Sequence, residues 1–161
     1  MEVFEAVKER SSIRAYKGEP IEKEHLEKMV EAAREAPSAK NLQPWKLIIV
    51  QDPEVLDDLV PVFMSQSFVR DAGALVVGLV DRSKWSEVDL TIGMDHLCLE
   101  AVELGYGTCW IGAFKEEELK KELEVPEYYE PLVCMTVGVP EEAGSSPTKK
   151  SVDELVEWVR V

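Results

Sequence analysis

The segment Arg-Ser-Ser-Ile-Arg, near the start of the chain, holds the residues whose types and spacing best suit the binding of an anion. Arg10, Ser11, Ser12 and Arg14 place two guanidinium groups and two hydroxyl groups within five residues. In an extended chain Ser12 and Arg14 point to the same side, and arginine binds phosphate oxygens in a bidentate manner. The segment therefore predicts a phosphate clamp. The alternative is structural, with an arginine that complements the dipole at the end of a helix and serines that form a turn.

A second cluster of polar residues lies in the stretch APSAKNLQPWKLIIV, residues 36–50, just before a predicted strand. The polar residues are Ser38, Lys40, Asn41 and Gln43. A short turn into a strand does not need so many polar side chains, so the excess predicts contacts with a bound molecule. Ser38 also has a structural alternative, because its hydroxyl could equally well cap or bridge the turn after Pro37.

Three glycines in GYGTCWIG do not form a dinucleotide-binding motif. Gly105, Gly107 and Gly112 fail the GxGxxG spacing and lead from a helix to a strand, the reverse of that motif, and the chain has no GxxxxGK[ST] loop. Gly105 is predicted to end the helix before it. For Gly107 and Gly112 a structural role and a ligand-related role stay open, although Gly112 stands where no helix ends and suggests a close approach to the backbone.

The sequence contains no residue pattern typical of other catalytic chemistries. There is no GxSxG motif for a serine nucleophile, and paired carboxylates are frequent only because the chain is acidic. Cys98, Cys109 and Cys134 show no CxxC spacing, which predicts reduced thiols in the core. His25 and His96 lack the spacing of metal ligands, so no metal site is predicted.

Composition limits the possible partners. The chain has 161 residues and a net charge of −14, from 32 acidic and 18 basic residues. A single domain is expected, and such a surface repels nucleic acid and anionic lipid. The sequence shows no apolar run of the ~20 residues that span a bilayer and no targeting signal at its N-terminus, from which we expect a cytoplasmic location.

Hydrophobic periodicity predicts strands that alternate with helices. Helices are expected at residues 3–9, 22–35, 52–63, 89–105, 115–123 and 152–159, and strands at 46–50, 73–81, 107–114 and 130–140. Asp52 is predicted to cap its helix, with Pro53 in the first turn, and residues 63–70 are ambiguous. The helix at 89–105 is apolar all round, so it must be buried centrally or against another subunit. This alternation indicates a helix–sheet–helix layered protein.

Four segments in this order form a recognisable pattern: ERSSIRAY, APSAKNLQPWKLIIV, GYGTCWIGAF, and EPLVCMTVGVP followed by a basic loop and a terminal helix. With them the chain resembles the FMN-dependent nitroreductase family over nearly its full length. The resemblance implies one FMN-binding domain over residues 1–161, with an α+β fold in which a three-layer α/β/α sandwich surrounds a mixed, mainly antiparallel sheet. It further implies a homodimer with two FMN sites at the subunit interface.

The same resemblance implies a role for particular residues of this chain. Those expected to hold the FMN phosphate are Arg10, Ser11, Ser12 and Arg14. Those expected to touch the isoalloxazine and ribityl groups are Pro37, Ser38, Ala39, Asn41 and Gln43, and Ser65 or Gln66 could reach the ribityl chain. Backbone N–H groups of Ile111 and Gly112 are expected near the flavin N5 edge. Lys149, beside Lys150, stands where family members often carry an arginine at the phosphate.

The implied activity is a two-step exchange in which NADH or NADPH gives a hydride to FMN and an acceptor then binds to the same flavin face. A nitroaromatic, a quinone or a flavin would serve as acceptor, and no side-chain acid or base is needed for the hydride step. The cofactor would carry out the chemistry, and the protein would bind and orient the cofactor. The alternative is a flavin- or ligand-binding carrier or sensor on the same scaffold, without turnover.

Overall fold

Four strands form the sheet at the centre of the fold in the computed structural model, which describes residues 1–145 and 147–159. They are β1 (Trp45–Val50), β2 (Ala74–Val80), β3 (Gly107–Ile111) and β4 (Glu130–Gly138). Their order across the sheet is β1–β2–β4–β3, and all three pairings are antiparallel. A parallel bridge between Ser12 and Thr108 extends the sheet beyond β3. The mixed, mainly antiparallel sheet is thus confirmed.

Helices cover both faces of this sheet. They are α1 (Val3–Glu9), α2 (Lys23–Arg34), α3 (Pro53–Leu59), α4 (Phe68–Asp71), α5 (Ser86–Glu103), α6 (Glu116–Glu122) and α7 (Val152–Leu155). On one face Met29 of α2 and Met94 of α5 pack in a cluster with Val76 of β2. On the other face Leu56 of α3 and Leu119 of α6 pack in a cluster with Val77. These two layers around the sheet confirm the predicted α/β/α sandwich.

Most predicted element boundaries agree with the structure to within a few residues, because local signals set them. Asp52 caps α3, since its Oδ1 accepts hydrogen bonds from the backbone N–H groups of Glu54 at 2.9 Å and Val55 at 3.4 Å. Gly105 follows the end of α5 with φ of +85°, a conformation that favours glycine. The ambiguous segment after α3 forms a short 3₁₀ turn, two left-handed residues at Met64 and Ser65, and α4.

Helix α5 is the element that positions the candidate site. A Cβ on Gly78 of β2 would lie 2.6 Å from Sδ of Met94, so the glycine allows α5 to lie directly on the sheet. On its other side, a Cβ on Gly93 would lie 3.3 Å from the backbone oxygen of Ala33 in α2. One side of the helix is therefore buried between the sheet and α2, whereas its outer side is not: Val88 is 50% exposed and Asp95 is also exposed. The prediction of a helix buried all round is thus wrong for the single chain, because polar residues occupy the outer side. The N-terminal end of α5 reaches the turn that precedes β1.

The predicted closing helix over residues 152–159 is wrong in its second half. Helix α7 ends at Leu155, and Val156 is extended, with φ of −129° and ψ of 125°. A helix of this length is marginal without a surface to pack on, and Trp158 is 68% exposed in the single chain. The apolar face of α1 is equally uncovered, with Val3 75% and Phe4 70% exposed. No helix among the described residues has the length and hydrophobicity to cross a membrane.

Candidate functional site

The N-terminal polar segment lies against the edge strand of the sheet. The backbone N–H of Ile13 donates a hydrogen bond to the oxygen of Thr108 in β3, at 2.8 Å. Ser12 forms a parallel bridge to Thr108 and an antiparallel bridge to Ser145. Residues 10–14 are therefore an extended segment, as the phosphate-clamp prediction requires, held between β3 and the loop that follows β4.

Two arginines in this segment have no carboxylate partner among the described residues. Across residues 1–145 and 147–159, neither Arg10 nor Arg14 forms an ion pair, whereas Arg34, Arg70 and Arg82 each do. Among the arginines that the structure describes, Arg10 and Arg14 are thus the two without a carboxylate partner. Arg10 is also the residue that ends α1, so the structural alternative for this one arginine holds as well.

Arg14 and Ser12 face the same residue of β3. Burial raises the pKa of the Cys109 thiol above its ordinary value, while the Arg14 guanidinium and the Ser12 hydroxyl, both close to the sulfur, act to lower this pKa. Both side chains therefore act on the same thiol of β3. Arg14 remains exposed to solvent, which leaves its guanidinium available to an anion.

The second polar cluster forms a strained turn between α2 and β1. A 3₁₀ turn spans Ala39–Asn41, and three residues of this region have left-handed backbones: φ is 53° at Lys40, 56° at Asn41 and 50° at Gln43. Such conformations cost a non-glycine residue on the order of 1 kcal/mol or more and cluster at functional sites. Residues 38–43 are here called the polar turn. Its left-handed backbones are unusual for residues other than glycine, which points to a binding role for the turn.

Hydrogen bonds inside the polar turn partly explain its composition. The hydroxyl of Ser38 accepts a hydrogen bond from the backbone N–H of Gln43 at 3.1 Å, so Ser38 bridges the turn as its structural alternative predicted. The side-chain Nε2 of Gln43 donates to the backbone oxygen of Asn41 at 2.9 Å. Asn41 and Gln43 are nonetheless exposed, as is Pro37, so these residues face outward from the fold.

A buried carboxylate that the sequence reasoning missed anchors the polar turn. Asp89 of α5 is only 3% exposed, and each of its carboxylate oxygens lies 3.1 Å from the backbone nitrogen of Ala39, which donates to them. A signal for it was present, because Asp89 stands four residues before Gly93 and so shares a face of the helix with it. An acid at such a position needs a hydrogen-bond donor.

The two glycines that the sequence left open differ in their surroundings. A Cβ on Gly107 would lie 2.6 Å from Cγ1 of Ile13, so this glycine admits the N-terminal segment against β3 and has a structural role. Gly112 is exposed, and a Cβ there would meet no atom of the described chain within 4 Å. The buried Ile111 precedes it at the end of β3. The backbone at Gly112 is thus open to a ligand.

The basic loop passes close to the phosphate clamp. Ser145 pairs with Ser12, and a Cβ on Gly144 would collide with the Ser11 hydroxyl, which shows how closely the loop covers Ser11. Lys149 follows four residues after Ser145 and is exposed, like Lys150.

The remaining predicted contacts, Ser65 and Gln66, lie near α4. The amide nitrogen of Gln66 donates to the backbone oxygen of Phe63 at 3.0 Å, and Ser65 is exposed.

The predicted site residues fall into two groups in the single chain. The N-terminal segment lies at β3 with Gly144 and Ser145 of the loop that follows β4, whereas the polar turn is tied to the N-terminal end of α5. No hydrogen bond between described residues joins the two groups. Nor does the part of the chain that the structure describes contain three His, Cys, Asp or Glu residues placed to hold a metal ion.

Comparison with known proteins identifies the family. The model of the nitroreductase family matches residues 7–83 and 76–139. A Methanothermobacter thermautotrophicus protein with the provisional name NADH dehydrogenase/NAD(P)H nitroreductase is 30% identical, over 88% of this chain and 79% of its own. A Staphylococcus saprophyticus NADPH-dependent oxidoreductase is 27% identical, over 87% of this chain and 65% of its own length.

Solved structures give the same result. An FMN-dependent nitroreductase from Clostridium difficile R20291 is 29% identical, with a TM-score of 0.84 over 97% of this chain and 98% of its own. A nitroreductase family protein from Clostridium novyi NT is also 29% identical, with a TM-score of 0.83 over 88% and 87% of the two chains. The resemblance stated from the four sequence segments is confirmed, and the chain belongs to the nitroreductase family.

Proposed function

We propose that this chain is an FMN-dependent oxidoreductase that takes reducing equivalents from NADH or NADPH and passes them to a small electron acceptor. Family membership supports the oxidoreductase activity, and similar proteins carry names that include NADPH-dependent oxidoreductase and FMN-dependent nitroreductase. When bound, FMN would supply the hydride chemistry, and the residues of the chain would bind and orient it.

The observation that carries the proposal is the pair of arginines without carboxylate partners in the described chain. Arg10 and Arg14 flank Ser12 on a segment fixed by hydrogen bonds to β3. Two guanidinium groups and neighbouring hydroxyls suit the terminal phosphate of FMN, because arginine binds phosphate oxygens with a rigid fork of donors. Lys149, in the loop that pairs with Ser12, would add a point charge. The residues present therefore fit the phosphate group.

The ring system and ribityl chain of FMN would lie against the polar turn and Gly112. Exposed amides at Asn41 and Gln43, the strained backbone of the turn and the open backbone at Gly112 support this placement. Backbone N–H groups near a flavin stabilise negative charge as it develops in the ring. Ping-pong kinetics follow if the donor and acceptor use the same flavin face in turn. Nitroaromatics, quinones and flavins remain the candidate acceptors.

We propose that the active protein is a homodimer in which each subunit supplies one half of a flavin site. The phosphate clamp and the polar turn are separate groups within one chain. In a dimer, the polar turn of one subunit would lie beside the phosphate clamp of its partner. The exposed apolar residues of α1 and of the segment after α7 support such an interface. The proposal keeps residues 1–161 as one FMN-binding domain, in the cytoplasm.

Sedimentation of the FMN-loaded protein tests the dimer. Phe4→Glu places a charge on the uncovered face of α1 and is expected to shift the dimer toward monomers that release FMN. Tyr128→Glu, which introduces the same charge at another exposed aromatic residue, is the matched control and should remain dimeric. A wild-type protein that sediments as a stable, FMN-loaded monomer would contradict the shared site.

Steady-state turnover tests the activity. The protein is reconstituted with FMN and assayed with NADH and with NADPH against a nitroaromatic, a quinone and free flavin. We expect parallel lines in double-reciprocal plots, as a ping-pong exchange requires, with at least one acceptor. A protein that binds FMN tightly but turns over none of the acceptors with either nucleotide would favour the alternative role of a flavin carrier or sensor.

A further inference from the structure

Two buried hydroxyl groups lie next to the phosphate clamp. Tyr16 is 4% exposed, and Thr136 of β4 is fully buried. Their hydroxyl groups lie 2.8 Å apart and form a hydrogen bond. The Thr136 hydroxyl also donates to the backbone oxygen of Cys109 in β3, at the longer distance of 3.4 Å. Polar contacts thus run from Tyr16 through Thr136 to the strand on which the clamp lies.

The backbone is fixed to the fold on both sides of Arg14. On the N-terminal side, the N–H of Ile13 donates to the backbone oxygen of Thr108 at 2.8 Å. On the C-terminal side, Tyr16 forms an antiparallel bridge to Pro140, in the loop that follows β4. Arg14 therefore lies between two fixed points of the chain, and Tyr16 is the second of them.

The ring of Tyr16 packs directly on the sheet. A Cβ on Gly138 of β4 would lie 2.8 Å from Cδ1 of the Tyr16 ring, so the glycine leaves the space that the ring occupies. The ring also packs with Ile13 and Ala72 in a small buried cluster. Packing thus fixes the ring, and the hydrogen bond to Thr136 fixes its hydroxyl end.

The guanidinium of Arg14 is close to these polar groups. Burial raises the pKa of the Tyr16 phenol, and the positive charge of Arg14 acts against this rise. Burial likewise raises the pKa of the Cys109 thiol, and Arg14 again acts to lower it. The inner side of the guanidinium therefore faces Tyr16 and Cys109, whereas Arg14 as a whole remains exposed to solvent.

We propose that Tyr16 is a positioning residue for the phosphate clamp: its hydroxyl, held by Thr136, keeps Arg14 in the orientation that binds the terminal phosphate of FMN. Tyr16 and Thr136 are buried, so they act through Arg14 and do not touch the flavin. The effect is specific to the phosphate, because the polar turn and Gly112 form the proposed site of the ring. This inference rests on the proposed function, since it concerns the same flavin site.

The test compares FMN with riboflavin, which has the same ring system and ribityl chain but no phosphate. The measured quantity is the dissociation constant of riboflavin divided by that of FMN, from fluorescence titration of protein freed of flavin. A general loss of stability or damage to the ring site changes both constants and leaves this ratio unchanged. We expect Tyr16→Phe to lower the ratio about 2–10-fold, the range that one buried hydrogen bond allows.

Further variants separate positioning from stability. Thr136→Val removes the same hydrogen bond from its other end and should lower the ratio by a similar factor. Tyr16→Phe combined with Thr136→Val should give the ratio of either single variant, because only one hydrogen bond between them is lost. Tyr106→Phe is the matched control: this buried tyrosine bonds to Nδ1 of His25 at 2.9 Å, away from the clamp, and its loss should leave the ratio unchanged.

The Arg14→Ala background gives the most direct result. In it Tyr16→Phe should not lower the ratio further, because the guanidinium that Tyr16 positions is absent. An equal ratio in wild type and Tyr16→Phe would overturn this inference alone, as would a fall of the same size in the Arg14→Ala background. A wild type that does not bind FMN, or that binds riboflavin as tightly, would contradict the proposed function and this inference together.

Discussion

The carboxylate of Asp89 accepts a hydrogen bond from the backbone N–H of Ala39, and each carboxylate oxygen lies 3.1 Å from the nitrogen. This hydrogen bond connects the first turn of the central helix α5 to the polar turn before β1. The carboxylate is almost fully buried, and a buried hydrogen bond to a charged group contributes about 1.5–3 kcal/mol. Asp89 thereby supports a turn whose backbone is strained at Lys40 and Asn41.

Asp89→Ala is expected to weaken FMN binding about tenfold or more, because the N–H of Ala39 would lose its acceptor and the polar turn its anchor. Asp89→Asn keeps one acceptor oxygen and should recover most of the affinity. Fluorescence titration with FMN measures both, and Asp95→Ala, at an exposed position of the same helix, is the control. Equal FMN affinity in Asp89→Ala and wild type would remove the anchoring role.

The double substitution of Arg10 and Arg14 by alanine is expected to strip FMN from the protein. Each guanidinium would contribute about 1.5–3 kcal/mol in hydrogen bonds to a phosphate, so the dissociation constant should rise by at least two orders of magnitude. Equilibrium dialysis against FMN measures the change, and Arg34→Ala, at an exposed site on α2, should bind normally. Retention of micromolar-tight FMN in the double variant would remove the phosphate-clamp assignment.

A pair of glycine substitutions distinguishes a structural glycine from one that faces a ligand. Gly107→Ala places a methyl group 2.6 Å from Cγ1 of Ile13, so its free energy of unfolding should fall by roughly 1–3 kcal/mol. Gly112→Ala meets no atom of the described chain within 4 Å and should unfold like the wild type. It should nevertheless bind FMN more weakly, since the methyl group enters the proposed flavin site. Normal FMN binding by Gly112→Ala would contradict that placement.

Stability is expected to fall at alkaline pH. Burial raises the pKa of the Cys134 thiol and of the Tyr16 phenol, whose hydroxyl also hydrogen-bonds to Thr136 at 2.8 Å. The folded state therefore keeps protons that the unfolded chain releases, so stability declines above the ordinary pKa values, about 8.5 for cysteine and about 10 for tyrosine.

Urea unfolding at pH 7.5, 9 and 10.5, with a reductant present, checks this dependence. The free energy of unfolding should fall from the first pH to the last, and Cys134→Ala should show a shallower fall between pH 7.5 and pH 9. A free energy that does not change over this range would contradict the effect of burial on these groups.

Local signals predicted the helices and strands because capping residues, glycines and periodicity act within a few residues. Asp52 and Gly105 mark element ends as expected. The closing helix was wrong after Leu155 because periodicity alone does not show whether a surface exists for the helix to pack on. The exposed side of α1 was missed for a similar reason, since an apolar face does not identify what covers it.

The candidate site was only partly predictable from the sequence. The excess polarity of residues 38–43 was evident, but the left-handed backbones of Lys40 and Gln43 were not, because residues other than glycine rarely adopt this conformation. The link from Asp89 to Ala39 joins residues 50 positions apart, and no local pattern contains such a pairing. Gly107 and Gly112 look alike in sequence, and only the position of Ile13 separates their roles.

Anaerobic reduction of the FMN-loaded protein tests the central claim most directly. The absorbance of the bound flavin is followed after addition of one equivalent of NADH or NADPH, and then of an oxidised acceptor. The account predicts that the yellow colour bleaches with at least one nucleotide and returns with the acceptor. A yellow protein that neither nucleotide bleaches, or a colourless protein that does not take up FMN, would contradict it.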